Sequence, residues 1–276
     1  MEVTNVINAI NIISEKIFKS VEGEVFKTLD NLLIINEDLM KEDIIKAFVL
    51  KGENAGFEIL VMSIVIFLLI YYLIVRMVSM YNGEPSENIL SYIFRIIVCV
   101  IFSISFSFIL EQVLYINGLF SEIIASIGKD LTGEKICFEN LKEVIVNLDK
   151  YMSEEALSID GIIKGVVSFG ATTILISFAI RYVTLIFLII VAPIIIMFAC
   201  SSATSGIFKS WLKIFVTNLF VQHIALIILI IPLMFKGTKS EMFKIILVGS
   251  IYLLYKINNF TKDFLGNISE PIVRRI

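Results

Sequence analysis

The chain has 276 residues, of which 58% are hydrophobic and 18% are charged, and its mean hydropathy is +0.91. Soluble domains carry roughly 25% charged residues, so this composition argues against an ordinary soluble domain and is typical of a membrane protein. The net charge of −3 does not indicate a nucleic-acid-binding surface. The three cysteines lack metal-ligand spacing and do not form an even set for disulfides, so they are interpreted as small apolar residues.

Residues 1–56 form a polar and mildly amphipathic region in which apolar residues recur every three or four positions, which predicts a helix. The positions that carry this pattern are Val6, Ile10, Ile13, Ile17, Val21 and Val25. Charged residues interrupt the region, so we expect no cleavable signal peptide. The next predicted segment, 57–116, contains the first two transmembrane helices, at Ile59–Val75 and Ile89–Ile116.

An acidic loop is predicted over residues 117–161. Residues 117–160 hold nine acidic and four basic side chains, a net charge of −5. Acidic residues contribute little to the positive-inside rule, so this charge only suggests an extracytoplasmic position.

The longest apolar segment is Gly165–Cys200, and Arg181 is its only charged residue. A helix of this length extends about 54 Å, whereas the apolar core of a bilayer is about 30 Å thick. Pro193 removes a backbone N–H and clashes with the carbonyl of Ile189, which predicts a kink in the helix. Two interpretations of this kink remain open. It is either a functional hinge or re-entrant element, or a passive bend of the kind common in membrane helices.

Residues 162–260 are predicted to form a C-terminal transmembrane core. It contains the overlong third helix, an interfacial helix over 205–215, a fourth span near Ile214–Phe235 and a weaker fifth span near Phe243–Phe260. Residues 261–276 are predicted to be a polar tail. The sequence therefore predicts an all-α polytopic membrane protein with about five transmembrane helices.

Polar side chains share one face of the third predicted helix around Arg181. An arginine at the centre of a bilayer costs at least about 2.5–3.5 kcal/mol, so its side chain should face protein or water. Two interpretations remain open: a face that lines a passage or assembly contact, and hydroxyl groups that hydrogen-bond neighbouring helices. Glu58 and Glu111 are possible counter-charges, although both are predicted near a membrane surface. The candidate residues on this face and on the fourth span are Thr173, Ser177, Arg181, Thr184, Asn218 and Gln222.

Residues 205–215 have one apolar face and a polar face that carries Lys209 and Lys213. Trp211 is the only tryptophan, and indole rings favour the boundary between headgroups and acyl chains. These three residues are predicted to be an interfacial anchor. The alternative is a simple linker helix that leads into the fourth span.

No nucleotide-binding loop, nucleophile elbow or zinc-protease motif is present in the sequence. His223 lies beside Gln222, and it is interpreted as a hydrogen-bonding residue between helices rather than a metal ligand. We therefore expect no catalytic residue, no cofactor and no metal site.

Residues 158–270 contain several stretches that together form a familiar pattern. They are Arg181-Tyr-Val-Thr-Leu, Ala192-Pro193, Ser201-Ser-Ala-Thr-Ser, Phe208-Lys-Ser-Trp211-Leu-Lys, Asn218 with Gln222, Ser158-Ile-Asp-Gly161-Ile-Ile-Lys, Gly249-Ser-Ile-Tyr252 and Phe264-Leu-Gly-Asn-Ile-Ser269. Over this range the chain resembles the TrbL-type polytopic membrane subunits of type IV secretion and conjugation systems, in the form found in low-GC Gram-positive bacteria.

This resemblance implies a non-enzymatic subunit in the plasma membrane, with its N-terminus outside and its C-terminus in the cytoplasm. It also implies an oligomer at the base of a translocation channel. Its partners would be other channel subunits, the associated ATPases, membrane lipid and, transiently, the transferred DNA or protein. In this family Arg181, Pro193 and Trp211 would be structural or channel-forming residues. The residues themselves leave two other functions open, a small-solute transporter and a holin-like membrane scaffold.

Overall fold

The structure is a computed structural model, and it describes residues 12, 13, 16, 23–49, 55–83, 88–146, 157–201, 204–235, 241–257, 259 and 261. Regular structure in these residues is helical throughout. The α-helices are α1 (Val25–Leu33), α2 (Asp43–Val49), α3 (Ala55–Asn82), α4 (Ile89–Ile104), α5 (Phe106–Thr132), α6 (Phe138–Val146), α7 (Leu157–Met197), α8 (Ser205–Met234) and α9 (Glu241–Tyr255). Short 3-10 helices lie at Glu37–Lys41 and Phe198–Cys200.

Several of these helices are apolar enough for a membrane. Among the described residues, four stretches have the length and composition to cross one: Met62–Asn82, Phe106–Thr132, Gly165–Cys200 and Ser205–Met234. Ile89–Ile104 and Met242–Tyr255 are shorter apolar helices. The predicted fold class, an all-α polytopic membrane protein, is confirmed.

The second predicted span, 89–116, differs from the structure in continuity and length. The backbone leaves the helical region at Ser105, where ψ is 1°, so α4 ends and α5 begins there. Serine is a weak helix former because its hydroxyl competes for backbone hydrogen bonds. Helix α5 then continues to Thr132, so residues 117–132 of the predicted loop are helical. They form a helix because Leu110, Leu114, Asn117 and Ser121 give α5 a buried face at helical spacing.

Helix α7 contains 41 residues, about 60 Å along its axis, and runs through Pro193. It ends four residues later, where the 3-10 turn Phe198–Cys200 leads to extended backbone at Ser201. The Ser103 hydroxyl donates a hydrogen bond of 3.1 Å to the Pro193 carbonyl. Helix α4 is therefore fixed to α7 beside the proline.

The interfacial helix predicted over 205–215 is the first third of α8, which continues to Met234 without interruption. No glycine or proline lies between Phe215 and Leu229, so nothing in the sequence stops the helix there. The segment is thus continuous with the fourth span, and its position at a membrane interface stays a prediction.

The chain divides into two compact units that cut across the segments predicted from the sequence. The first unit contains the described residues of 1–35, 117–182 and 217–276, and the second contains those of 36–116 and 183–216. Most of the periodic segment 6–25 and nearly all of the tail 261–276 lie outside the described residues.

In the first unit, apolar side chains of α1 and α6 pack into the same core as those of α7, α8 and α9. Phe26, Leu29 and Leu33 line the buried side of α1. The Asp30 carboxylate, at the edge of this side, accepts the backbone N–H groups of Phe138 and Glu139 at 2.6 and 3.1 Å. These N–H groups have no partner inside α6, so Asp30 acts as its N-terminal cap.

The second unit has a smaller core between α3, α4 and the turn after α7. Leu68, Tyr72, Tyr92, Ile96, Met197 and Cys200 are its buried members. The rings of Tyr72 and Tyr92 stack with centroids 4.0 Å apart, and the Tyr92 hydroxyl donates to the Leu68 carbonyl at 3.0 Å.

Candidate functional site: a buried polar cluster

Arg181 is the largest fully buried side chain in the described residues, with 1% of its surface exposed. Each of its side-chain nitrogens donates one hydrogen bond. Nε donates to the Asn218 carbonyl at 2.8 Å, Nη1 to the Leu33 carbonyl at 3.2 Å and Nη2 to the Gln222 Oε1 at 3.0 Å. All three acceptors are uncharged. Within the described part of the chain, no carboxylate pairs with this guanidinium.

The position of Leu33 explains how the charge is accommodated without a carboxylate. Leu33 is the last residue of α1, so its carbonyl has no acceptor role inside that helix. Carbonyls at a helix C-terminus carry the negative end of the helix dipole, and a cation placed there gains typically 0.3–1 kcal/mol. Arg181 thus stabilises the end of α1, and α1 partly compensates the buried charge.

Gln222 is the centre of the cluster and is fully buried. Its Oε1 accepts from Arg181 and also from the backbone N–H of Ile35 at 2.9 Å. Its Nε2 lies 2.7 Å from the Ser121 hydroxyl, 3.3 Å from the Ile35 carbonyl and 3.4 Å from the Asn117 carbonyl. One side chain on α8 therefore joins α5, α7 and the segment after α1.

Asn117 and Ser121 complete the cluster from α5. The Asn117 amide donates to the Ile35 carbonyl at 2.8 Å, and the Ser121 hydroxyl donates to the Asn117 carbonyl at 3.2 Å. His223 Nε2 lies 3.3 Å from the same Asn117 carbonyl. The histidine is thus in a hydrogen-bonding position between helices, as its isolation in the sequence predicts.

The cluster satisfies the backbone of a non-helical segment inside a helical core. Residues 34–36 have no regular structure, so Ile35 has no helical partner for its N–H or its carbonyl. Each unsatisfied backbone group in an apolar environment costs several kcal/mol. Gln222 and Asn117 supply the missing partners. The arrangement holds the end of α1 inside the first unit.

The structure brings together only part of the polar face predicted from the sequence. Arg181, Asn218 and Gln222 meet, although Asn218 contributes its carbonyl. The Thr173 hydroxyl donates at 2.8 Å to the Phe169 carbonyl of its own helix. Ser177 is half-buried, and Thr184 belongs to the second unit.

Sequence reasoning missed Asn117, Ser121 and the backbone of Leu33 and Ile35. Asn117 and Ser121 are a polar pair at helical i, i+4 spacing, which is the one signal that could have identified them. Their assignment to a loop concealed it. The backbone partners carry no side-chain signal at all.

The three residues of the predicted interfacial anchor, Trp211, Lys209 and Lys213, differ in their burial. Trp211 is 6% exposed, and its N–H donates to the Leu188 carbonyl at 3.0 Å. Its ring stacks on Phe215 at 5.4 Å. Lys209 and Lys213 are exposed. The indole therefore packs within the second unit, where the Leu188 carbonyl accepts its N–H.

The sequence predicts neither a metal site nor a catalytic residue. Among the residues that the structure describes, no group of three or more histidine, cysteine or acidic side chains could hold a metal ion. Glu111, considered as a counter-charge to Arg181, is exposed on α5. The side chain of Glu58 lies outside the described residues.

The helices and the buried cluster define the chain as an all-α polytopic membrane protein. No protein-family model, curated protein or solved structure matches it. The resemblance to TrbL-type subunits therefore depends on the sequence motifs alone and stays a prediction.

Proposed function

We propose that this chain is a non-enzymatic channel or scaffold subunit of a type IV secretion apparatus that transfers DNA or protein. It would assemble as an oligomer in the plasma membrane at the base of the translocation path, with its N-terminus outside. Its partners would be other channel subunits and their ATPases. The proposal combines the sequence resemblance with one structural observation on α5.

The observation is that two different exposed faces run along α5. One face is apolar and one is polar, and they lie on either side of the same helix. Glu111, Glu122 and Lys129 recur on the polar face at spacings of eleven and seven residues, together with Tyr115 and Ser126. The exposed apolar face consists of Ile116, Phe120, Ile123, Ile127 and Leu131.

A single copy surrounded by lipid would expose the polar face of α5 to hydrocarbon. Glu122 lies 16 residues after Phe106, about 24 Å along the helix and close to its middle. Charged side chains at mid-membrane cost about 2.5–3.5 kcal/mol and normally face protein or water. The apolar face suits lipid, whereas the polar face suits water or another subunit. This asymmetry supports an assembly over a solitary protein.

The buried cluster argues against the small-solute transporter. A transporter of this size would need a polar site near the middle of the membrane, and Arg181 with Asn218 and Gln222 is the candidate from the sequence. Every side-chain nitrogen of Arg181 donates a hydrogen bond to another residue of the protein, and the side chain is buried. A solute would have to displace the backbone of α1 to reach it.

Transfer in a strain that carries the complete apparatus tests the proposal. Deletion of this gene should abolish transfer, and a plasmid-borne copy should restore it. The tagged protein should also co-purify with other membrane subunits. Normal transfer in the deletion strain would exclude the proposed function. Solute uptake by liposomes that contain only this protein would favour the transporter.

A matched pair of variants separates a channel subunit from a passive scaffold. Glu122→Leu removes a charge from the polar face of α5, and Ile123→Leu changes the neighbouring apolar face conservatively. A channel subunit should lose transfer with Glu122→Leu and keep it with Ile123→Leu, at equal protein levels. Full transfer by both variants would favour the holin-like or structural scaffold.

A further inference from the structure

Two cysteines that are far apart in the sequence meet in the second unit. Cys99 lies on α4, and Cys200 ends the 3-10 turn that follows α7. Both thiols are free, and both residues belong to one small core, in which Cys200 is buried and against which Cys99 packs. Their pairing could not be predicted from the sequence, because neither cysteine belongs to a motif.

A contact of Cys200 with α4 places it one helical turn from Cys99. The Cys200 Sγ lies 3.9 Å from the Arg95 carbonyl. Arg95 precedes Cys99 by one helical turn, so its carbonyl is the one towards which the Cys99 N–H points in the helix. Cys200 therefore sits against the same turn of α4 that carries the Cys99 side chain. Cys99 also packs against the apolar core in which Cys200 is buried.

The two thiols differ in access. Cys99 is half-buried and Cys200 is fully buried. A reagent from outside therefore reaches Cys99 first, and Cys200, in the core against which Cys99 packs, is the thiol that would resolve the product. A half-exposed thiol beside a buried one is an arrangement suited to thiol–disulfide exchange.

We propose that Cys99 and Cys200 form a dithiol site that exchanges with organic or protein disulfides and closes to an internal disulfide. In the first step, Cys99 as thiolate attacks a disulfide RS–SR, which forms a Cys99–S–SR bond and releases RS⁻. In the second, Cys200 as thiolate attacks the Cys99 sulfur and releases the second RS⁻. Two thiols lose two protons and two electrons, and RS–SR is reduced to two RSH.

The closed site would tie α4 covalently to the end of α7. The same two elements are already joined by the bond between Ser103 and the Pro193 carbonyl. A disulfide would add a second, covalent connection on the far side of the 3-10 turn. Its effect would be confined to the second unit, where both cysteines lie.

The test uses the full-length protein in detergent and 4,4′-dithiodipyridine, an apolar organic disulfide that releases one coloured thiopyridone per exchange. In a Cys137→Ser background, we expect two thiopyridones per chain and a mass lower by two hydrogen atoms. A non-reducing peptide map should show Cys99 linked to Cys200. The same map of the wild type checks the result without any substitution.

Two single variants define the order of the steps. Cys200→Ser should release one thiopyridone and keep a stable pyridylthio group on Cys99. Cys99→Ser should lose the fast reaction, because Cys200 is buried. A stable adduct on Cys99 with Cys200 still present would overturn the proposal. No reaction of the folded protein, or a disulfide between two chains, would overturn it equally.

Discussion

Gln222 connects more of the first unit than any other polar side chain in the described residues. Its amide serves Arg181, Ser121 and both backbone groups of Ile35. Removing one partner of a buried hydrogen bond costs about 1–3 kcal/mol for each group left unsatisfied. Because several groups depend on one amide, the cost of losing it should exceed that of an ordinary polar substitution.

We therefore expect Gln222→Ala to lower the free energy of unfolding by about 2–4 kcal/mol, as the sum of two or more unsatisfied groups. Gln112→Ala is the control, because Gln112 is exposed on α5 and should change the value by less than about 0.5 kcal/mol. Unfolding in mixed micelles, followed by circular dichroism, measures both. Equal effects of the two substitutions would contradict the central role of Gln222.

Asp30 gives the first unit a pH dependence of defined sign. Burial raises the pKa of Asp30 above its usual 3.8, and the N–H groups of Phe138 and Glu139 oppose this only in part. Glu139 raises it further and Lys135 lowers it. Because the pKa of Asp30 is higher in the folded state, its contribution to the free energy of unfolding is fully present below the unfolded-state pKa. This contribution is lost as the pH rises through the folded-state pKa.

The stability advantage of the wild type over Asp30→Asn should therefore be largest below pH 3.8 and decrease towards neutral pH. Other titrating groups cancel in the difference between the two proteins. Denaturation of both at a series of pH values provides the comparison. An advantage that grows with pH would mean that the two N–H groups outweigh burial.

For a single residue, the sequence predicts the kind of environment but not the groups that provide it. A lone arginine in an apolar helix must be buried against polar groups, and Arg181 is. Its acceptors include the Leu33 carbonyl, 148 residues away in the chain. Backbone carbonyls leave no trace in a residue pattern, so only the folded chain identifies them.

Helix α7 packs closely against α9 at Gly170. A Cβ at this position would overlap the Cγ2 of Ile251, a β-branched side chain with little rotamer freedom in a helix. Gly249 on α9 has open space instead, with nothing within 4 Å of a Cβ. The two glycines therefore differ in packing while sharing a helical backbone.

Gly170→Ala should destabilise the protein by about 1–3 kcal/mol, since overpacking forces neighbouring atoms to move. Gly249→Ala should be neutral or stabilising by up to about 1 kcal/mol, because alanine is the better helix former. Thermal unfolding of both variants under identical conditions separates packing from propensity. The interpretation fails if Gly170→Ala is as stable as Gly249→Ala.

Helix type is predictable here, whereas helix ends are not. Apolar length identifies α3, α7 and α8 as membrane helices because lipid permits no unpaired backbone. The break at Ser105 and the extension of α5 to Thr132 depend on tertiary packing of a weakly apolar segment. The average composition of such a segment resembles that of a loop, although its buried residues recur at helical spacing.

For the whole molecule, the decisive question is what surrounds α5. The polar and apolar faces of this helix make three environments distinguishable. If lipid covers the apolar face and water the polar one, the chain contributes to an aqueous passage within an assembly. Water on both faces would place α5 outside the membrane, and protein on the polar face would mean a dry subunit contact.

Single cysteines introduced on α5 of a Cys99→Ser, Cys137→Ser and Cys200→Ser protein separate these cases. In membranes with the full apparatus, Tyr115→Cys and Ser126→Cys should react with a charged, membrane-impermeant thiol reagent, whereas Phe120→Cys and Ile127→Cys should not. At Tyr115→Cys a cationic reagent should react faster than an anionic one, because Glu111 and Glu122 are its charged neighbours on this face, whereas Lys129 lies two turns beyond Glu122. Labelling of both faces, or of neither, would rule out an aqueous passage along this helix.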